Sequence, residues 1–210
     1  MARRTKMAAL ETREQILDAA ELCFRDIGVA RTTLQMVATR AGCTRGAIYW
    51  HFNEKHDLLR QVIERVPLSL FVELETLART ARPVMGLHCC LQRLLDDFRA
   101  DRHLRNVIDV VLFRGEGPAG LSGELARGKE SMETLLGLFR HIFESGLKHG
   151  EIGTTLRAET LASLLFCVFS GVLRNHILLP ANSWIVQESS AALDQVFAMA
   201  MANKGTGNEQ

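Results

Sequence analysis

The stretch Thr32–Asn53, reading TTLQMVATRAGCTRGAIYWHFN, constrains this chain more than any other. Thr32 can cap a helix, with Gln35 three residues on to close a capping box. Leu34, Val37, Ala38 and Ala41 give that helix a narrow apolar stripe at helical spacing. Gly42 stands where a helix end favours a left-handed residue, and Thr44 can cap the next helix, Arg45–His51. The spacing predicts two helices crossed through a tight glycine turn. That is helix-turn-helix geometry, whose second helix can enter the DNA major groove. Ala47 and Ile48 are its expected inward residues. The same short helix carries the chain's only Tyr, Tyr49, beside one of its two Trp residues, Trp50. A helix built only to pack does not need both.

The rest of the chain reads as helices. Residues 1–9 are either a solvated terminus or an arm that brings Arg3, Arg4 and Lys6 to DNA. A first helix is expected over 10–27, ended by Gly28. With the next two it forms a trihelical unit whose core is Ile16, Leu17, Phe24, Leu34, Val37, Ile48 and Phe52. Asn53 is expected to cap a fourth helix that starts near Lys55 and bends at Pro67. Five more helices are expected, at about 84–99, 102–114, 122–149, 156–179 and 183–202. Gly115–Gly120 is a loop by its turn residues. The reading is all-α, with nine helices in two domains, 1–54 and 55–210.

Net charge is only +1, but residues 1–60 hold ten Lys/Arg against seven Asp/Glu. Residues 61–210 hold fifteen against seventeen, so positive charge gathers around the helix-turn-helix, as phosphate binding requires. No apolar run follows the basic MARRTK opening, so no signal peptide is expected. The five Cys residues are expected as free thiols in a reducing cytoplasm. The longest apolar run, Leu161–Leu173, is closed by Arg174, Asn175 and His176 and is too short to cross a membrane. The eighth helix is apolar over more than one face and must be buried nearly all round. A homodimer through helices eight and nine achieves that, and two-fold symmetry suits a helix-turn-helix.

Enzyme chemistry finds no footing. Gly115–Gly120 lacks the Lys-Ser/Thr of a phosphate loop, and neither a nucleophile elbow nor HExxH occurs. Asp96 and Asp97 read as a solvated helix face. His88, Cys89 and Cys90 are adjacent, but helical neighbours point about 100° apart and cannot chelate together. They read as thiols without a metal, and no cofactor is expected.

The segments TLQMVA (33–38), AG (41–42), TRGAIYWHF (44–52) and Lys55 resemble, nearly position by position, the N-terminal signature of TetR-type transcriptional repressors. The likeness is strong over residues 10–60; beyond them only helix number, length and order agree. MARRTK, GVARTTL and TRGAIYWHF look most like the group that represses multidrug efflux operons. The resemblance implies DNA contacts at Thr33, Thr44, Arg45, Gly46, Ala47, Tyr49, Trp50, His51 and Lys55. Arg45 suits guanine, Gly46 and Ala47 let the backbone approach the bases, and Thr33, Tyr49, His51 and Lys55 suit phosphates. Packing between helices three and four is the alternative for Tyr49 and Trp50, and Phe52 reads as core. The resemblance also implies a ligand cavity in the C-terminal domain, with Phe71, Leu87, Leu91, Ile108, Leu112, Phe139, Phe166 and Ser170 as candidate wall residues. In the efflux group the sixth and eighth helices bring polar and acidic groups to that cavity. Here the aligned positions are Ile108, Leu112 and Ser170. That implies a more apolar inducer, or release by a protein anti-repressor; thiol oxidation is a third route. The expected partners are a double-stranded operator and a second copy of the chain.

Overall fold

The computed structural model describes the backbone of residues 2–65, 70–113 and 122–202, and the side chains of 7–65, 70–111 and 132–202. Among these residues every regular element is a helix. The first, α1 (Ala2–Ile27), includes the stretch read as an arm, and Gly28 ends it with a φ of 87°. The side chains of Arg3, Arg4 and Lys6 lie outside the described residues. Then come α2 (Leu34–Ala41), α3 (Arg45–His51), α4 (Lys55–Glu64), α5 (Leu70–Leu77), α6 (Pro83–Ala100) and α7 (Arg102–Phe113). The chain continues with α8 (Ser122–Lys148), α9 (Ala158–Leu178), α10 (Trp184–Gln187) and α11 (Ser189–Met201). The expected bend at Pro67 and the loop Gly115–Gly120 lie outside the described residues. The expected ninth helix divides at Glu188. There Ser189 Oγ donates to Val186 O at 2.5 Å, a side-chain bond that competes with the helical ladder.

Two compact units result. The first comprises Met1–Leu68 and Asp101–Gly128. Its core is built by α1 against α2, α4 and α7. Ile16, Leu17, Phe24, Val37, Ile48 and Phe52 are buried as the sequence predicts, and Leu34 is half-buried. Leu58 and Val62 of α4 and Leu104 and Val107 of α7 complete the core. By packing, therefore, α4 and α7 belong with the first three helices, although the linear reading put a boundary at residue 54. Polar chemistry explains part of this. Glu21 of α1 is 2 % exposed, and Asn106 of α7 is 5 % exposed. Val111 of α7 is exposed.

The second unit comprises Ser69–Ala100 and Lys129–Gln210. Its core joins Leu74, Leu87, Leu91, Leu95 and Phe98 to Phe139, Ile142, Phe143, Leu161, Leu165, Leu193 and Phe197. Glu151 caps α6 by accepting from Val84 N at 2.9 Å. The helix α9 buries one face, through Leu161, Leu165, Phe169, Val172 and Leu173, and packs on α10 and α11. Its opposite face, with Ser163 and Cys167, is exposed, so burial all round is not reached within one chain. No charged residue occurs from Thr160 to Leu173. On α11 the one charge is Asp194, which lies 2.6 Å from His88 Nε2 and accepts from Gln92 at 2.7 Å. By length and composition α9 is the one described helix that could cross a membrane. It packs one face on α10 and α11.

Candidate nucleic-acid interface

Two threonine caps and one glycine set the geometry of the candidate interface. Thr33, not Thr32, is the N-cap of α2: its Oγ1 accepts from Met36 N at 3.2 Å. Thr32 is buried, and its hydroxyl lies within hydrogen-bond reach of Cys23 O and Gly28 O, which holds the loop to α1. Gly42 ends α2 at φ 68°, a left-handed conformation that strains any residue with a Cβ. Thr44 caps α3 by accepting from Ala47 N at 3.1 Å. Phe52 ends α3 in extended backbone, with its N–H on Ile48 O at 2.8 Å.

Ile48 and Phe52 are buried and anchor α3 to the unit. Everything else on the helix faces outward or half outward. Thr33, Thr44, Arg45, Gly46, Tyr49 and Trp50 are exposed, while Ala47 and His51 are half-buried. Trp50 is 73 % exposed, so it is not buried between α3 and α4. A Cβ on Gly46 would meet only Thr44 Oγ1, at 3.8 Å, so nothing inside the protein demands glycine there. Arg45 is held on the outer face: its Nη2 donates to Tyr49 OH at 2.8 Å, and its guanidinium carbon lies 5.4 Å from the Tyr49 ring centroid. Trp50 packs edge-on against His51, with centroids 4.6 Å apart. Burial, with the Arg13 charge adding to it, holds the His51 imidazole below its ordinary range.

Lys55 departs from its expected role as a phosphate contact. Its ammonium donates to Val29 O at 2.9 Å, Ala30 O at 3.1 Å and Thr32 O at 3.2 Å. An ammonium has three protons, and three carbonyls take them. Lys55 therefore staples the start of α4 to the α1–α2 loop. Spacing could not reveal this, because the acceptors are backbone atoms 23 to 26 residues earlier. Arg40, which the sequence reading passed over, pairs with Asp26 at 2.8 Å. Burial pushes the Asp26 carboxyl up, but hydrogen bonds from Arg25 and Arg40 outweigh it, and the acid titrates below its usual range.

The candidate ligand residues do not converge on a described cavity. Leu87, Leu91 and Phe139 are fully buried core of the second unit. Phe71, Phe166 and Ser170 are half-buried there, and Ser170 Oγ donates to Cys167 O at 3.2 Å. Ile108 is buried in the first unit. The side chain of Leu112 lies outside the described residues. An open groove of about 430 Å³ runs along the exposed face of α9, lined by Arg157, Glu159, Thr160, Ser163, Leu164 and Cys167. None of the eight candidates lines it. On α6, Cys89 is exposed and Cys90 is buried, and burial pushes the Cys90 thiol up to about 11, with Glu73 adding to the effect. Among the described residues no cluster of His, Cys, Asp or Glu could hold a metal ion.

An outward-facing, doubly capped helix held by Ile48 and Phe52 on an all-helical frame defines a helix-turn-helix DNA-binding protein. Residues 16–62 match the family of bacterial regulatory proteins named for TetR. The chain is 35 % identical over 188 residues to the transcriptional repressor BepR of Brucella suis, covering 87 % of this chain and 85 % of BepR. It is 35 % identical over 189 residues to the regulator TtgR of Pseudomonas putida, covering 86 % and 87 %. Among solved structures, the complex of SmeT with triclosan matches with a TM-score of 0.75 and 30 % identity, covering 95 % of this chain and 98 % of SmeT. SmeT is the repressor of the Stenotrophomonas maltophilia multidrug efflux pump SmeDEF. This chain belongs to the TetR family, whose members are transcription regulators and not enzymes.

Proposed function

We propose that this protein is a cytoplasmic homodimeric repressor of a multidrug efflux operon, which reads a palindromic operator and is released by an inducer. The observation that carries the DNA-reading claim is the outer face of α3, where Arg45, Gly46, Tyr49 and Trp50 stand exposed on a helix anchored from behind. Arg45 donates to a guanine edge. Gly46, which no internal contact requires, lets the backbone close on the bases. Thr33, Thr44, Tyr49 and His51 donate to phosphates, and Trp50 and Ala47 touch the groove wall. Functionally, residues 1–54 read DNA and residues 55–210 sense and dimerise.

Dimerisation rests on the exposed face of α9, which carries no charge from Thr160 to Leu173, and on the exposed alanines of α11, with Ala191, Ala192, Ala198 and Met199. Such faces bury well against a second copy. The two recognition helices then stand one DNA turn apart, about 34–36 Å. The inducer prefers a conformer in which that spacing is lost. Similarity to SmeT, which forms a complex with triclosan, supports a small apolar inducer for this chain. Oxidative release through Cys90 is disfavoured, because a buried thiol with a raised pKa carries almost no thiolate. The test is a gel shift on the DNA upstream of the protein's own gene, with and without apolar drug-like compounds. The expected result is a retarded dimer complex that a subset of the compounds dissolves. No specific complex at moderate salt would overturn the reading.

A further inference from the structure

We infer that Tyr49 is the positioning residue that sets the base-reading conformation of Arg45, beyond any contact of its own with DNA. The inference rests on the proposed reading of guanine by Arg45. Arginine has a long, freely rotating side chain, and ordering it on DNA opposes binding. In this structure two contacts with Tyr49 place it before DNA arrives. Arg45 and Tyr49 are four residues apart on α3, the spacing that brings side chains together on one helix face. The phenol oxygen accepts from Nη2 at 2.8 Å, and the guanidinium lies over the ring with its carbon 5.4 Å from the centroid. Both residues are exposed, so neither contact is a by-product of burial.

The donor count is consistent with base reading. Arg has five N–H donors, and the Tyr49 contact uses one of them. A second proton on Nη2, both on Nη1 and the one on Nε remain, enough for a bidentate contact with a guanine edge. The Tyr49 hydroxyl, having accepted from Arg45, still has its own proton to donate to a phosphate oxygen. One side chain therefore joins the phosphate that fixes register to the arginine that reads the base. A lone phosphate contact would affect all sequences alike.

The test uses the full-length protein and a duplex that the wild-type protein selects from a randomised library. Affinities are compared for that duplex and its single-base-pair variants, with wild type, Tyr49→Phe, Arg45→Ala and the double variant. Tyr49→Phe keeps the ring and removes only the hydroxyl. Arg45→Ala is expected to erase the preference at one base pair of each half-site. Tyr49→Phe is expected to weaken discrimination at that same base pair by roughly five-fold, the scale of one ordinary solvent-exposed hydrogen bond. It should change that preference no further once Arg45 is gone. If Tyr49→Phe weakens every duplex equally, with or without Arg45, Tyr49 is a phosphate contact only and the positioning role is overturned. Unchanged affinities and preferences with Tyr49→Phe also overturn it. If Arg45→Ala leaves every base preference intact, the reading of DNA by Arg45 fails first, and the positioning role fails with it.

Discussion

The buried carboxylate of Glu21 accepts a hydrogen bond from Asn106 Nδ2 at 2.6 Å. The same carboxylate lies 2.8 Å from His103 Nδ1 and 3.7 Å from a guanidinium nitrogen of Arg65, the residue that follows α4. One acid on α1 thus gathers α7 and the end of α4. Removing it leaves polar partners without their acceptor. His103 and Arg65 are partly exposed and can turn to water, but leaving the buried Asn106 amide without its acceptor is expected to cost about 1–3 kcal/mol. Glu21→Ala should therefore lower the urea midpoint strongly, and Glu21→Gln, which keeps one acceptor oxygen, should do so less. An unchanged midpoint in Glu21→Ala would show that Glu21 does not hold the first unit together.

Lys55→Met separates the staple from a phosphate contact. Removing three charge-assisted bonds to the α1–α2 loop should destabilise the protein by about 2 kcal/mol or more. The slope of log affinity against log salt should stay at its wild-type value. A phosphate contact would instead reduce that slope by about one, with stability little changed.

Gly42→Ala and Gly46→Ala should behave oppositely. At φ 68°, Gly42 accepts a Cβ only with strain, so the alanine variant should lose about 1 kcal/mol of stability. At Gly46, inside a helix, a Cβ has room, so its alanine variant should melt at or above wild type yet bind the selected duplex more weakly. A melting loss at Gly46 would mean that its glycine serves the fold.

Acid should weaken the α3–α4 junction. Asp57 accepts from Gln61 Nε2 at 2.9 Å and from Asn53 N at 3.1 Å. These bonds, with Arg60 adding to them, hold its carboxyl below the usual range. A depressed carboxyl contributes stability that is fully present above its unfolded pKa, about 3.9, and is lost as pH falls through the folded value. Asp57→Asn should be less stable than wild type at neutral pH, and the gap should close towards acid. Urea titrations from neutral pH down to below pH 3 measure this.

Charge on the exposed face of α9 should split the dimer. Ser163→Arg or Cys167→Arg adds a cation to a face with no charge from Thr160 to Leu173. Sedimentation should find a dimer for wild type and a folded monomer for either variant. A dimer that survives both would move the interface elsewhere.

The recognition module was legible almost atom by atom, and the reason is local. Caps, a left-handed glycine and a buried Ile48–Phe52 pair act within a few residues, so Arg45–His51 emerges with the bounds the spacing predicts. The cap of α2 slipped by one because Thr32 and Thr33 are equally good caps; burial of Thr32 against Cys23 and Gly28 decides between them. Lys55 and the Glu21–Asn106 pair were invisible because their partners are distant in sequence. A trace existed: Asn106 and Asp109 interrupt an otherwise apolar stretch of α7, and both are buried. The candidate cavity was the least legible part. Leu87, Leu91 and Phe139 have the same helical pattern whether they face a ligand or one another.

The most direct measurement is a hydroxyl-radical footprint of the wild-type protein on its selected duplex. Two α3 helices in successive major grooves should protect two symmetric patches on one face of the DNA, about 34–36 Å apart. Arg45→Ala should lose this pattern at salt concentrations where wild type keeps it. Uniform protection without symmetric patches, or failure of the library to yield any preferred sequence, would contradict the account.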